Sequence, residues 1–116
     1  MHASADDRCE WGLRRNTTHA QPEADPNGIA MLNANQGTYV GDPNEKRVYL
    51  TFDMGYEAGQ TEKLLDILKD KEVHAVFFLC GHYMRSQPEL VERILQGGHS
   101  IGNHTDQHKN PFPLSE

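Results

Sequence analysis

From residue 46 onward, apolar positions come in short bursts whose spacing switches between the strand and helix periods. Residues 48–52 (VYLTF) are β-branched and aromatic and predict a buried strand. Residues 53–59 hold two glycines and predict a loop. Thr61 is placed to cap a helix whose Leu64, Leu65 and Leu68 share one face. Residues 75–80 (AVFFLC) predict a second strand, ended by Gly81. Ser86 and Glu89 stand at capping-box spacing around Pro88, which suits a first helical turn. Leu90, Val91, Ile94 and Leu95 form the next apolar stripe, and Gly97-Gly98 can end it in a left-handed conformation. Residues 99–102 predict a third strand, followed by Asn103-His104.

Strands alternating with helices over short connections predict parallel βαβ units and an α/β fold. Three strands close no barrel, and parallel strands need cover on both faces. The pattern stops after the third strand, so the expectation is an α/β domain cut in mid-fold. Residues 1–46 differ in composition, being rich in Asn, Asp, Pro, Gly and Gln with scattered apolar positions. They predict an irregular lead segment in which Trp11 and Tyr39 are candidate anchors. The predicted organisation is therefore a lead segment, 1–46, and a partial domain, 47–116.

Composition narrows the partners. The chain has 116 residues and a net charge of −6, which excludes an electrostatic attraction to nucleic acid. No run of about 20 apolar residues is present to span a membrane. The N-terminus has neither a basic nor an apolar leader pattern, so no signal peptide is visible. The two cysteines, Cys9 and Cys80, leave both a bridge and two free thiols open.

Candidate chemistry lies where parallel folds collect it, just past the carboxyl ends of strands. Asp53 follows the first predicted strand, and His104 and His108 follow the third. Two imidazoles in an HxxxH pair can meet one ion if the segment turns helically. An ion beside a carboxylate is equipment for hydrolysis, because the ion acidifies a water and polarises a carbonyl while the carboxylate takes the proton. Of the other five histidines, His2, His19 and His74 read as surface residues. His82 and His99 flank strand ends, where structural or supporting roles suit them.

Thr51-Phe52-Asp53-x-Gly55 and His104-Thr105-x-x-His108, with their spacing and the strand carrying Phe77-Phe78, resemble the first two motifs of the polysaccharide deacetylase (NodB-homology, carbohydrate esterase family four) superfamily. Trp11-Gly12, Gly41-Asp42, Lys46, the Tyr56-Glu57 pair and Cys80-Gly81-His82-Tyr83 make the likeness nearest to delta-lactam-biosynthetic de-N-acetylases of spore-cortex peptidoglycan. The resemblance implies the first three β/α units of a distorted (β/α) barrel. It makes Asp53 the general base, His104 and His108 ligands of a divalent metal (zinc), and Thr105 an orienting hydrogen-bonder. Met54, Tyr56 and His82 join Thr105 as substrate-contacting or supporting residues. The implied reaction removes N-acetyl groups from an amino-sugar polymer, with peptidoglycan as partner and the cell envelope or exterior as location.

Two departures from that pattern shape the expectation. Met54 stands where most of the superfamily has a metal-binding Asp, and a thioether is a poor ligand for a hard divalent ion. Weak metal binding completed by water or substrate oxygens follows. The family's later motifs, with an Arg, a Trp and a general-acid His, lie downstream of residue 116. Loss of a general acid costs roughly 10²–10⁴-fold, so an inactive fragment is expected. A chitin, chitooligosaccharide or xylan deacetylase is the alternative enzyme reading, and a non-catalytic carbohydrate-binding remnant is the alternative outside enzymes.

Overall fold

The structure, a computed structural model, describes residues 12–109. The chain divides into two compact units between Arg47 and Val48. In the first, β1 (Leu13–Arg14) pairs antiparallel with β2 (Glu23–Ala24). Helix α1 (Pro26–Ala34) follows at once. Its start is written locally: the Asp25 carboxylate accepts from the backbone N–H groups of Asn27 (2.9 Å) and Gly28 (3.1 Å), and Pro26 takes a first-turn position where its missing N–H costs nothing. This helix corrects the expectation of an irregular lead. The Asp-Pro start signal was present, but the weak apolar periodicity behind it hid the helix. Tyr39 is half-buried, whereas Trp11 and Cys9 lie outside the described residues.

The second unit is a three-stranded parallel sheet in the order β3 (Thr51–Met54), β4 (Val76–Leu79), β5 (Ser100–Asn103). Helix α2 (Thr61–Asp70) connects β3 to β4. Helices α3 (Gly81–Ser86) and α4 (Pro88–Gln96) connect β4 to β5. The α/β reading therefore holds. Strand β3 begins at Thr51 rather than at residue 48, and Asp53 lies inside it rather than after it. A strand exists only where a partner runs beside it, and β4 supplies one from Val76 onward. Val48 and Tyr49 are accordingly exposed.

Alternation along the strands divides the sheet into two faces. Phe77 and Leu79 of β4 point into the core, where Leu65 and Leu68 of α2, Tyr83 of α3, and Leu90 and Ile94 of α4 meet them. Phe77 and Ile94 are fully buried. Each large apolar side chain so buried contributes about 1.5–3 kcal/mol. Phe52 stacks on Phe77 at 5.1 Å between ring centres, and Met54 packs against the same cluster. Asp53, Phe78 and Gly102 share a register row on the opposite face.

The helix starts differ from expectation. Thr61 is the first residue of α2 rather than its cap. The Glu57 carboxylate does the capping instead, accepting from the backbone of Gln60 (2.9 Å) and Thr61 (3.4 Å) and from the Thr61 hydroxyl. Ser86 ends α3, and its hydroxyl bonds back to the Tyr83 carbonyl, so no capping box opens α4. Leu95 is exposed rather than part of the buried stripe. Gly98 takes the left-handed conformation foreseen for it (φ 75°).

Candidate active site

The carboxyl ends of β3, β4 and β5 open on a cleft of about 790 Å³. Asp53, Gly55 and Tyr56 line it from β3, Cys80, His82 and Arg85 from β4 and α3, and His104 and His108 from the loop after β5. The two clusters that sequence places at strand ends thus meet in one site. Asp53 reaches it because it stands on the face of the sheet away from the helices. Met54, one residue on, points to the other face and packs on the core, outside the cleft lining.

The histidine loop is not helical. Thr105 and His108 both hold left-handed backbone (φ 64° and 56°), a conformation costing non-glycine residues on the order of 1 kcal/mol each. Local hydrogen bonds hold it. The Asn103 side chain accepts from Thr105 N–H (2.8 Å), and the Thr105 hydroxyl accepts from His108 N–H (2.8 Å). His104 N–H donates to the Leu79 carbonyl at 3.2 Å, and the Cys80 thiol donates to the His104 carbonyl at 3.2 Å. The loop is also tied to α3: Gly81 N–H donates to Thr105 O (3.1 Å), His82 N–H to Asp106 O (3.3 Å), and Arg85 pairs with the Asp106 carboxylate at 2.7 Å. That guanidinium holds the Asp106 carboxyl below its usual range.

The result brings the imidazoles of His104 and His108 edge to face, 4.7 Å between ring centres. Two imidazoles side by side suit a borderline divalent ion such as zinc. The donor set ends there, because among the described residues no group of three His, Cys, Asp or Glu is arranged to hold an ion.

One residue along from Tyr56 and His82, a polar knot absent from the sequence reading joins the start of α2 to α3. Tyr83 is fully buried, and its hydroxyl donates to Glu57 at 2.8 Å and lies 3.0 Å from the Thr61 hydroxyl. The Thr61 hydroxyl, then Tyr83 and the backbone N–H groups, hold the Glu57 carboxyl down at about 2 against the resisting effect of burial. Burial and the Glu57 charge push Tyr83 up to about 12. Tyr56 is 81 % exposed and its ring lies 4.9 Å from that of His82.

The remaining histidines separate cleanly. His99 is buried away from the cleft, and its Nδ1 accepts from Ala75 N–H at 3.2 Å. Burial, with neighbouring His74, lowers its pKa. His19 and His74 are exposed, and His2 lies outside the described residues. Cys80 is a buried free thiol. Sequence reasoning did not single out Arg85 as a cleft residue, since nothing local marks a side chain that α3 brings back to the strand ends.

Known proteins are similar in sequence and fold. The sequence profile of the polysaccharide deacetylase family matches residues 40–116. The peptidoglycan-N-acetylmuramic acid deacetylase PdaA of Bacillus subtilis is 42 % identical over 98 residues, covering 84 % of this chain and 37 % of PdaA. The solved structure of PdaA, a family 4 carbohydrate esterase, superposes with a TM-score of 0.81 at 39 % identity, over 90 % of this chain and 45 % of that one. A family 4 carbohydrate esterase from Bacillus anthracis superposes with a TM-score of 0.71 at 38 % identity, over 90 % and 48 %. A chitooligosaccharide deacetylase of Bradyrhizobium is 45 % identical over 69 residues, covering 59 % of this chain and 32 % of the relative. This chain spans less than half the length of each, so its parallel unit is part of their larger barrel. With the profile covering the whole parallel unit and the cleft at its strand ends, the chain belongs to the polysaccharide deacetylase family.

Proposed function

We propose that the cleft serves hydrolysis of N-acetyl groups from an amino-sugar polymer, with N-acetylmuramic acid of peptidoglycan as the substrate. One observation carries this reading: Asp53 from β3 and the paired imidazoles of His104 and His108 after β5 line a single cleft. Asp53 takes a proton from the attacking water as general base. His104 and His108 hold a divalent ion, zinc by donor chemistry, which when bound acidifies water and polarises the amide carbonyl. Thr105 fixes the His108 backbone, and the Arg85–Asp106 pair fixes the loop against α3. Water adds across the amide, giving acetate and a free amine on the sugar.

With His104 and His108 as its two protein ligands and Met54 turned to the core, an ion would be weakly held and would need water or substrate oxygens to complete its coordination. A free amine beside a lactyl carboxyl is the substrate that delta-lactam formation in spore cortex consumes, and the place of action is the cell envelope. The activity of PdaA supports muramic acid, while the Bradyrhizobium relative supports chitooligosaccharide as the second reading.

Calorimetric zinc titration of the chain beside a His104→Ala/His108→Ala variant tests the site. Binding by the parent and none by the variant is expected. Silence from both proteins would leave a carbohydrate-binding remnant as the better description. Acetate release from cortex peptidoglycan against N-acetylated chitooligosaccharide, with Asp53→Asn as control, then decides the substrate.

A further inference from the structure

Tyr56 is the exposed aromatic of the cleft. It follows Asp53 by three residues, a chain reach of at most about 10 Å. Its ring offers an apolar face with a polar tip to the cleft. Its surroundings hold it in place. The ring leans on His82 at 4.9 Å and 49°, and the next residue along each chain segment forms a second pair, Glu57 with Tyr83, at 2.8 Å. Two consecutive residues of the β3–α2 loop therefore meet two consecutive residues of α3. The inner pair is locked in the polar knot and the outer pair faces the cleft. The Glu57 carboxylate also takes bonds from both backbone and side chain at the start of α2, so the loop carrying Tyr56 has little freedom.

β-Linked pyranoses keep their substituents equatorial, which leaves a flat C–H face that packs on an aromatic ring. We infer that Tyr56, backed by His82, is a stacking platform for a pyranose ring of the glycan chain, next to the ring being deacetylated. Glu57 is the positioning residue that fixes it through Tyr83. The inference rests on the proposed deacetylase reading for the identity of the ligand as a glycan, but its geometry is independent of the metal-binding histidines.

The test is an NMR titration of the chain with the soluble β-linked tetramer of N-acetylglucosamine, comparing the parent with Tyr56→Ala and Tyr56→Phe. Zinc affinity and thermal midpoint are measured on each protein. Parent and Tyr56→Phe should bind alike, with shifts centred on residues 56 and 82, and Tyr56→Ala should bind roughly tenfold more weakly. All three should keep the same zinc affinity, and the midpoint should hold because Tyr56 is exposed. Equal affinity in Tyr56→Ala, or no binding of the tetramer by the folded parent, overturns the platform and leaves the zinc result standing. Absence of zinc binding with sugar binding still dependent on Tyr56 overturns the deacetylase reading instead.

Discussion

At the scale of single residues, the parallel unit depends on a few side chains that have no substitute. Phe77 is fully buried between β3, β5 and the helices, so Phe77→Ala should cost about 3–5 kcal/mol in chemical denaturation. Tyr83→Phe keeps the ring and removes the hydroxyl that Glu57 and Thr61 share. A loss of about 1.5–3 kcal/mol is expected, the size of a hydrogen bond to a charged group. Two titrations should appear in the pH dependence of stability. The Glu57 pKa is depressed from 4.5 to about 2, so its contribution is present above pH 4.5 and is lost as pH falls from there towards 2. Glu57→Gln should flatten that slope. The folded-state pKa of His99 is also lowered, from 6.5, because its charged form is disfavoured in the core. Stability is then complete above pH 6.5 and declines as pH falls below it, since the unfolded chain takes the proton more readily. His99→Leu should remove this second slope while losing about 1 kcal/mol for the bond to Ala75 N–H.

At the scale of elements, two glycines show how closely the segments approach, and their replacement should have different consequences. A Cβ on Gly102 of β5 would lie 2.4 Å from the Phe78 ring on the neighbouring strand. Making room means turning the half-exposed Phe78 ring from its place, so Gly102→Ala should destabilise the unit by about 1–3 kcal/mol in a denaturant midpoint measurement. A Cβ on Gly81 would run into Asp106 Oδ1, the tip of an exposed side chain. Gly81→Ala should therefore break the Arg85–Asp106 tie with little loss of stability, and its effect should show as weaker zinc binding by the loosened histidine loop. Equal zinc affinity in Gly81→Ala would mean that the loop's own hydrogen bonds suffice to hold it.

For the molecule as a whole, the sheet is covered by helices on one face, while Val76 and Phe78 are half-exposed on the other. The cleft lies at the strand ends and is reached from that second face, where Asp53 stands. Among the described residues no helix is long and apolar enough to cross a membrane. The proposed base and platform, Asp53 and Tyr56, lie at the end of β3 and the proposed metal ligands at the end of β5, so the proposed site forms only when both crossovers have folded. Denaturation followed through a zinc-bound signal should therefore coincide with loss of helical circular dichroism, as one transition.

The amino-acid sequence alone determined the α/β class, the three strands and the two long helices of the parallel unit, because apolar spacing is a local signal that burial on one face imposes. It also determined the family and the candidate pair of clusters, since Thr51-Phe52-Asp53-x-Gly55 and His104-x-x-x-His108 are short, spaced motifs. Helix α1 was hidden by weak periodicity, and strand β3 was displaced by three residues because its start depends on where β4 begins. Only the tertiary structure decided that Met54 turns to the core and Asp53 to the cleft, because strand register fixes which face each residue takes. Only the tertiary structure joined Glu57 to Tyr83, Arg85 to Asp106 and Tyr56 to His82. Those pairs lie some twenty or more residues apart and meet through a βα crossover, a closeness that no local pattern in the chain encodes.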